Sequence, residues 1–64
     1  MKKTYQVATY TASHTTPYMV IIVKPEGGNR SWVLQVQNNG EHNGLMRLVS
    51  NLDLNNYRTA ELLA

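Results

Sequence analysis

The longest uninterrupted run of apolar positions in the chain covers residues 18–23, which read YMVIIV. An extended segment directs successive side chains to opposite faces, so Tyr18, Val20 and Ile22 point one way. The alternate residues Met19, Ile21 and Val23 then point the other way. This pattern predicts a β-strand that requires cover on both of its faces.

A turn and a second strand follow this run. Residues 24–30 (KPEGGNR) combine proline, two glycines and asparagine, which favour turns because they fix φ or tolerate positive φ. Beyond them, Trp32, Leu34 and Val36 alternate with polar residues, and only Val33 breaks the alternation. We therefore predict a β-hairpin over residues 18–37, with its loop at residues 24–30.

Residues 4–12 (TYQVATYTA) predict a further strand, because they are rich in β-branched and aromatic residues. The apolar phase shifts between Val7 and Ala8. Such a shift is typical of a β-bulge, but also of a strand whose two faces are both partly covered, and the sequence leaves both open. Residues 13–17 form a polar connection that ends in Pro17, which favours an extended entry to the next strand.

The C-terminal half of the chain reads less clearly. Residues 38–44 (NNGEHNG) contain two Asn-Gly pairs and predict a turn. Leu45, Leu48, Val49 and Leu52 have helical spacing, so we prefer a short amphipathic helix over residues 44–52. The alternative is a fourth strand paired back onto residues 32–37, with Leu45, Arg47 and Val49 on one side. From residue 55 onward, an Asn N-cap and good helix formers predict a C-terminal helix.

These elements predict an α+β fold in one domain, residues 1–64. It consists of a three-stranded antiparallel sheet with one or two short C-terminal helices on one face. A chain of 64 residues retains only a few kcal/mol of net stability, and it has no cysteine to form disulfides or most zinc sites. Tight packing or self-association is then the expected source of stability.

Charge and apolar run length narrow the class of protein. The formal net charge is +2, and Lys2 and Lys3 account for the whole excess. A dedicated nucleic-acid binder usually carries a denser basic patch. Residues 4–16 are too polar for the apolar part of a secretory signal. A run of six apolar residues is also far shorter than the roughly 20 needed for a transmembrane helix. We therefore expect a cytoplasmic protein.

No recognisable catalytic or ligand motif is present. The chain contains serines, histidines and Asp53, but no serine lies in a nucleophile-elbow pattern. His14 and His42 lack a second ligand at the spacing that zinc sites use. The Gly27-Gly28 pair lacks the lysine and the spacing of a phosphate-binding loop. The expectation is a protein without enzymatic activity, metal or cofactor.

The strand at residues 18–23 gives the main functional hypothesis. If helices cover one face of the sheet, either Tyr18, Val20 and Ile22 or Met19, Ile21 and Val23 remain uncovered, and the sequence leaves open which face is core. The uncovered face requires a partner, because large apolar patches are rare on monomers, and we predict that it carries Met19, Ile21 and Val23. The partner is expected to be another protein or a second copy of this chain. The predicted function is a small protein-binding regulator or inhibitor, of the kind that phages and mobile elements encode.

Aromatic and basic residues give an alternative hypothesis. Sheets bind single-stranded nucleic acids by stacking bases on aromatic side chains while cations hold the phosphates. The residues that would do so here are Tyr5, Tyr10 and Trp32 on strands, with Lys24 and Arg30 beside the hairpin loop. The nearly neutral body of the chain makes this the less favoured interpretation.

Overall fold

Five antiparallel β-strands form one sheet in the structure, a computed structural model that describes residues 2–13, 16–36 and 42–63. The strands are β1 (Lys2–Tyr10), β2 (Tyr18–Glu26), β3 (Arg30–Val36), β4 (His42–Ser50) and β5 (Leu54–Leu63), with a single 3-10 turn, Asn51–Asp53, before β5. Their order across the sheet is β4-β3-β2-β1-β5. The predicted α+β fold with a three-stranded sheet is therefore wrong, because the described residues form an all-β structure.

The predicted central hairpin is confirmed. Strands β2 and β3 pair antiparallel from Val20 opposite Gln35 to Glu26 opposite Arg30. The loop is shorter than predicted, because residues 24–26 continue β2 and only residues 27–29 form the turn. Residues 37–41 lie outside the described part of the chain, and so do His14 and residue 15. The predicted end of the hairpin and most of the predicted Asn-Gly turn therefore lie outside the described residues.

The helix preferred for residues 44–52 is wrong, and the alternative strand is correct. These residues belong mainly to β4, in which Leu48 lies opposite Trp32 and Arg47 opposite Val33. The helical spacing of the leucines was a misleading signal, because apolar residues in a segment of nine residues can match both the helical and the strand period. Pairing with β4 supplies main-chain hydrogen bonds to the otherwise unpaired edge of β3, and this requirement outweighs the local helical pattern.

The predicted C-terminal helix is also wrong, since residues 54–63 form β5. This strand pairs with β1, placing Ala60 opposite Tyr5 and Leu62 opposite Lys3. The residues predicted to cap and begin the helix lie within the strand, where Asn56 has a positive φ of 55°. Helix propensities differ by only tenths of a kcal/mol per residue, and pairing along the whole of β1 outweighs them.

Of the two interpretations of the phase shift in β1, cover on both faces describes the structure. Strand β1 pairs with β2 without a register shift, and where the register with β5 shifts between Val7 and Thr9 the additional residue belongs to β5. Val7 and Ala8 are both 0% exposed, although consecutive strand residues point to opposite faces. Both faces of β1 therefore contribute to the core.

The sheet curls so that its two edge strands approach each other at one end. In a flat sheet, β4 and β5 would lie about 19 Å apart, four strand spacings of about 4.8 Å. The 3-10 turn nevertheless joins Ser50 to Leu54, a link that even a fully extended chain spans only to about 14 Å. Register shifts in three strand pairs provide the bends, since bulges increase local twist.

Hydrogen bonds fasten this end of the molecule. The buried Ser31 hydroxyl donates to Asn51 Oδ1 at 2.6 Å, and the Asn51 backbone N–H donates to the Asn29 carbonyl at 2.8 Å. The Thr11 N–H donates to the Asp53 carbonyl at 2.8 Å. The 3-10 turn is thus tied both to the β2–β3 turn and to the end of β1, which holds the sheet in its curled form.

Two apolar clusters, one on each face, replace the single helix-covered core that we expected. The inner cluster lies on the concave face and contains Ala8, Val20, Val33, Val49 and Leu54, with Tyr10, Tyr18 and Ile22 packed against it. The outer cluster contains Val7, Ile21, Val36 and Leu62, flanked by Tyr5, Met19, Leu34 and Ala60. Curvature covers the inner cluster, and large flanking side chains cover the outer one. Across residues 2–13, 16–36 and 42–63, no helix has the length and apolarity to cross a bilayer.

Candidate protein-binding site

Strand β4 lies at one end of the sheet order and carries two large apolar side chains that the fold leaves exposed. The opposite edge strand, β5, carries one, Tyr57, which is 56% exposed. In β4, Leu45 is 72% exposed and Met46 is 56% exposed. The strand is nine residues long and contains neither proline nor lysine, the residues that proteins often place on edge strands to prevent pairing. Its only formal charge is Arg47. This edge therefore has the composition of a strand that can accept another strand.

A cavity of about 320 Å³ opens beside β4 on the concave face. Its lining residues are Tyr18, Val20, Val33, Gln35, Leu45, Met46 and Arg47. Val20 and Val33 are almost fully buried in the inner cluster and give the cavity an apolar base. Leu45, Arg47 and the Gln35 amide belong to exposed positions on neighbouring strands and surround its mouth. The volume lies at the lower end of the range for small-molecule pockets, roughly 300–1,000 Å³.

The Arg47 guanidinium is held beside this cavity by a neutral group. Its Nη1 donates to the Tyr18 hydroxyl at 3.1 Å. The Tyr18 ring packs in turn against Tyr10, with ring centroids 5.4 Å apart and planes inclined by 53°. Within the described residues no carboxylate pairs with Arg47, so its Nε and Nη2 donors are directed to no protein acceptor there. The site therefore combines an apolar base with a positively charged rim.

The opposite edge of the sheet, β5, carries two formal charges, Arg58 and Glu61, against the single charge of β4. Asn56 and Tyr57 fall where the register with β1 shifts, and Asn56 has positive φ. The Arg58 Nη1 donates to the Asn56 carbonyl at 2.8 Å and lies 3.5 Å from Thr9 Oγ1. An irregular strand whose carbonyl is already occupied pairs poorly with a further strand. Strand β4 also has an irregular stretch, since its register with β3 shifts between Met46 and His42 and Gly44 has a positive φ of 78°, but residues 46–50 pair regularly with β3.

The three residues predicted for a protein interface differ in their accessibility. Val23 is 42% exposed, Met19 is half-buried, and Ile21 is only 4% exposed within the outer cluster. A partner at this face would therefore contact Val23 and Met19, with Ile21 beneath them. The interface at Met19, Ile21 and Val23 stays a prediction, but the outer cluster already gives that face much of the cover we thought it lacked.

The residues predicted for nucleic-acid binding do not form one platform. Tyr5 packs against the outer cluster, whereas Tyr10 packs against the inner cluster on the other face. Trp32, Lys24 and Arg30 lie together at the β2–β3 turn, where Lys24 is opposite Trp32. Stacking of successive bases requires aromatic rings along one continuous surface. The structure divides the five residues between two faces and the turn.

An acidic residue also accompanies this basic turn. The Trp32 indole N–H donates to Glu26 Oε2 at 2.7 Å. This hydrogen bond lowers the pKa of the Glu26 carboxyl below its ordinary value, and the nearby charges of Lys24 and Arg30 add to the effect. Glu26 is therefore ionised at neutral pH beside the indole. Its negative charge offsets the attraction that the two cations offer to a phosphate backbone.

Sequence reasoning missed Leu45, Met46 and Arg47 as site residues. The preferred helix made Leu45 part of a buried face and left Arg47 simply exposed. The alternative strand did hold the signal, because it placed Arg47 between Leu45 and Val49 on one side. In the structure, Leu45 and Arg47 on this side of β4 both line the cavity.

The side chains that could bind a metal ion do not cluster in the described residues. Among the residues that the structure describes, no three histidine, cysteine, aspartate or glutamate side chains gather in a way that could hold a metal ion. In comparisons with known proteins, no family model, curated protein or solved structure matches this chain. Arguments about its function therefore depend on the geometry of the sheet and its cavity.

Proposed function

We propose that this chain is a small, non-enzymatic protein-binding regulator or inhibitor that receives an extended segment of another protein along β4. The observation that carries the proposal is the exposure of Leu45 and Met46 on the edge strand β4 next to an apolar cavity. Added strands gain affinity from main-chain hydrogen bonds and specificity from pockets that take alternate side chains. The β4 edge and the cavity match these two requirements.

The two sheet edges differ in charge more than in regularity. In each edge strand the register shifts near a residue with positive φ, Gly44 in β4 and Asn56 in β5. Proteins often place charged side chains on exposed edges, because an open edge otherwise promotes aggregation. The regular part of β5, residues 58–63, carries Arg58 and Glu61, whereas the regular part of β4, residues 46–50, carries Arg47 alone. By charge, β4 is therefore the less protected edge.

Site-specific photo-crosslinking in the native host tests the proposal. A photoreactive amino acid replaces Leu45 in one variant and Leu52 in a control, since Leu52 is 86% exposed but lies on the 3-10 turn. We expect adducts with a different protein from position 45 and none from position 52. A synthetic peptide covering the crosslinked segment should bind the purified chain, and Leu45→Lys should weaken binding at least tenfold while Leu52→Lys leaves it unchanged.

Three results would overturn the proposal. Adducts with oligonucleotides would favour the nucleic-acid alternative instead. Adducts only with a second copy of this chain would show that β4 serves self-association. Equal crosslinking from positions 45 and 52 would show that the β4 edge has no special role, because both positions would then be crosslinking through non-specific collisions.

A further inference from the structure

The cavity beside β4 suggests the chemistry of the segment that the edge receives. We infer that this segment is acidic and apolar, with one apolar side chain entering the cavity and a nearby aspartate or glutamate pairing with Arg47. This inference rests on the proposed function, because it identifies the ligand of the same edge. It concerns an extended peptide segment and not a free small molecule, since Leu45 and Arg47 belong to the strand whose edge would hold the ligand's backbone.

The apolar half of the inference follows from the base of the cavity. Val20 and Val33 line it, and both belong to the inner cluster on the concave face. Leu45 is also part of the lining, and its large exposed fraction leaves apolar area that a ligand can cover. In a paired strand, side chains alternate between faces, so every second residue of the added segment is directed to the concave side. An apolar residue at such a position lies over the cavity.

The acidic half follows from how Arg47 is held. The Tyr18 hydroxyl occupies Nη1, which leaves Nε and Nη2, the pair of donors on one side of the guanidinium, for a ligand. Two parallel donors of this kind match the two oxygens of a carboxylate. The Tyr18 contact also restrains the side chain, so less rotamer freedom is lost on binding. Arg47 thus favours a carboxylate within one or two residues of the inserted apolar side chain.

Selection from a random heptapeptide library tests this inference independently of any natural partner. The purified full chain and its Arg47→Gln variant are each used as bait, with Arg58→Gln as a control that removes an arginine from the opposite edge. We expect the wild-type chain and Arg58→Gln to enrich peptides in which an apolar residue lies within two positions of aspartate or glutamate. Arg47→Gln should keep the apolar preference and lose the acidic one.

A binding measurement on one selected peptide gives the contribution of Arg47 to the affinity. Arg47→Gln should weaken its affinity about fivefold, the upper range for an ion pair at an exposed site. Replacing the peptide's acid by its amide should cost a similar factor with the wild-type chain and little with Arg47→Gln. The Trp32 fluorescence of each variant verifies that it is folded.

Two outcomes would overturn the inference. One is the enrichment of acidic peptides to the same extent by Arg47→Gln, and the other is selection of peptides with no acidic preference by the wild-type chain. Either result can occur while position 45 still crosslinks to a partner protein, in which case the proposed function stands and only the ligand chemistry is wrong. If acidic peptides are selected but position 45 crosslinks to no protein in the host, the proposed function fails instead.

Discussion

At the scale of single residues, two aromatic side chains both pack in the fold and place a polar atom at the surface. Tyr18 packs against Tyr10 and the inner cluster, yet its hydroxyl positions Arg47 at the cavity. Trp32 lies half-buried between strands, yet its indole N–H reaches Glu26. Amphipathic aromatic residues allow this combination, because the ring contributes buried area and the polar atom stays accessible. A small sheet can therefore build a polar site without giving up core.

The Glu26–Trp32 hydrogen bond predicts a specific dependence on pH. The folded-state pKa of Glu26 is depressed, so the bond's contribution is present above the unfolded-state pKa and is lost as pH falls through the folded-state value. Trp32 is the only tryptophan, and its fluorescence reports directly on this contact. We expect an emission change at acidic pH, with a midpoint below the ordinary pKa of glutamate.

Glu26→Gln provides the control for this titration. The amide can still accept the indole hydrogen bond but does not titrate over this range, so the acidic transition in emission should disappear. Other carboxylates titrate at similar pH, and any effect they have on Trp32 would remain in the variant. An unchanged transition in Glu26→Gln would show that the fluorescence reports on a different group.

At the scale of elements, local signals predicted the hairpin and non-local pairing decided the rest. The β2–β3 hairpin could be read from the sequence because Gly27, Gly28 and Asn29 stand between two apolar segments. Residues 54–63 carry helix formers, and their strand partner β1 lies about 50 residues earlier in the chain. No local pattern encodes such a pairing. The candidate site was missed for the same reason, because β4 becomes an edge only once the order of all five strands is known.

The β2–β3 turn itself predicts a difference between its two glycines. Gly28 has φ of 76°, where an L-residue is strained, whereas Gly27 has no positive φ and has open space where an added methyl group would lie. We expect Gly28→Ala to lower the free energy of unfolding by about 1–2 kcal/mol. Gly27→Ala should leave it unchanged or raise it by about 0.4–1 kcal/mol, because alanine restricts the unfolded chain. Urea unfolding followed by Trp32 fluorescence measures both.

Space around Gly28 does not explain this difference. A Cβ at Gly28 would lie 3.6 Å from Arg30 Nε, an ordinary van der Waals distance, so only the backbone conformation opposes the substitution. Gly28→Asn is therefore a useful third variant, because asparagine tolerates the left-handed region better than alanine does. Equal stability of the Gly27→Ala and Gly28→Ala variants would contradict this turn conformation.

At the scale of the whole molecule, curvature links the stability of the fold to its site. The concave face must close over the inner cluster, and the 3-10 turn holds β4 and β5 near each other at one end. Beside β4, the same concave face carries the cavity based on Val20 and Val33. Closing the sheet fully would pair the β4 edge and remove the site. The partly closed sheet therefore accounts both for the buried core and for the exposed edge.

The two-faced core leads to a final prediction about stability. Val7 and Val20 lie in different clusters on opposite faces, and both are almost completely buried. Truncating either to alanine removes the burial of two methyl groups and leaves a cavity, so each substitution should cost about 2 kcal/mol. Val23→Ala, at a position that is 42% exposed, should cost no more than about 0.5 kcal/mol. A sheet with a single buried face would instead tolerate one of the first two substitutions, and chemical unfolding of the three variants distinguishes the cases. Because a chain of this size has only a few kcal/mol of net stability, losing either cluster should bring it close to unfolding.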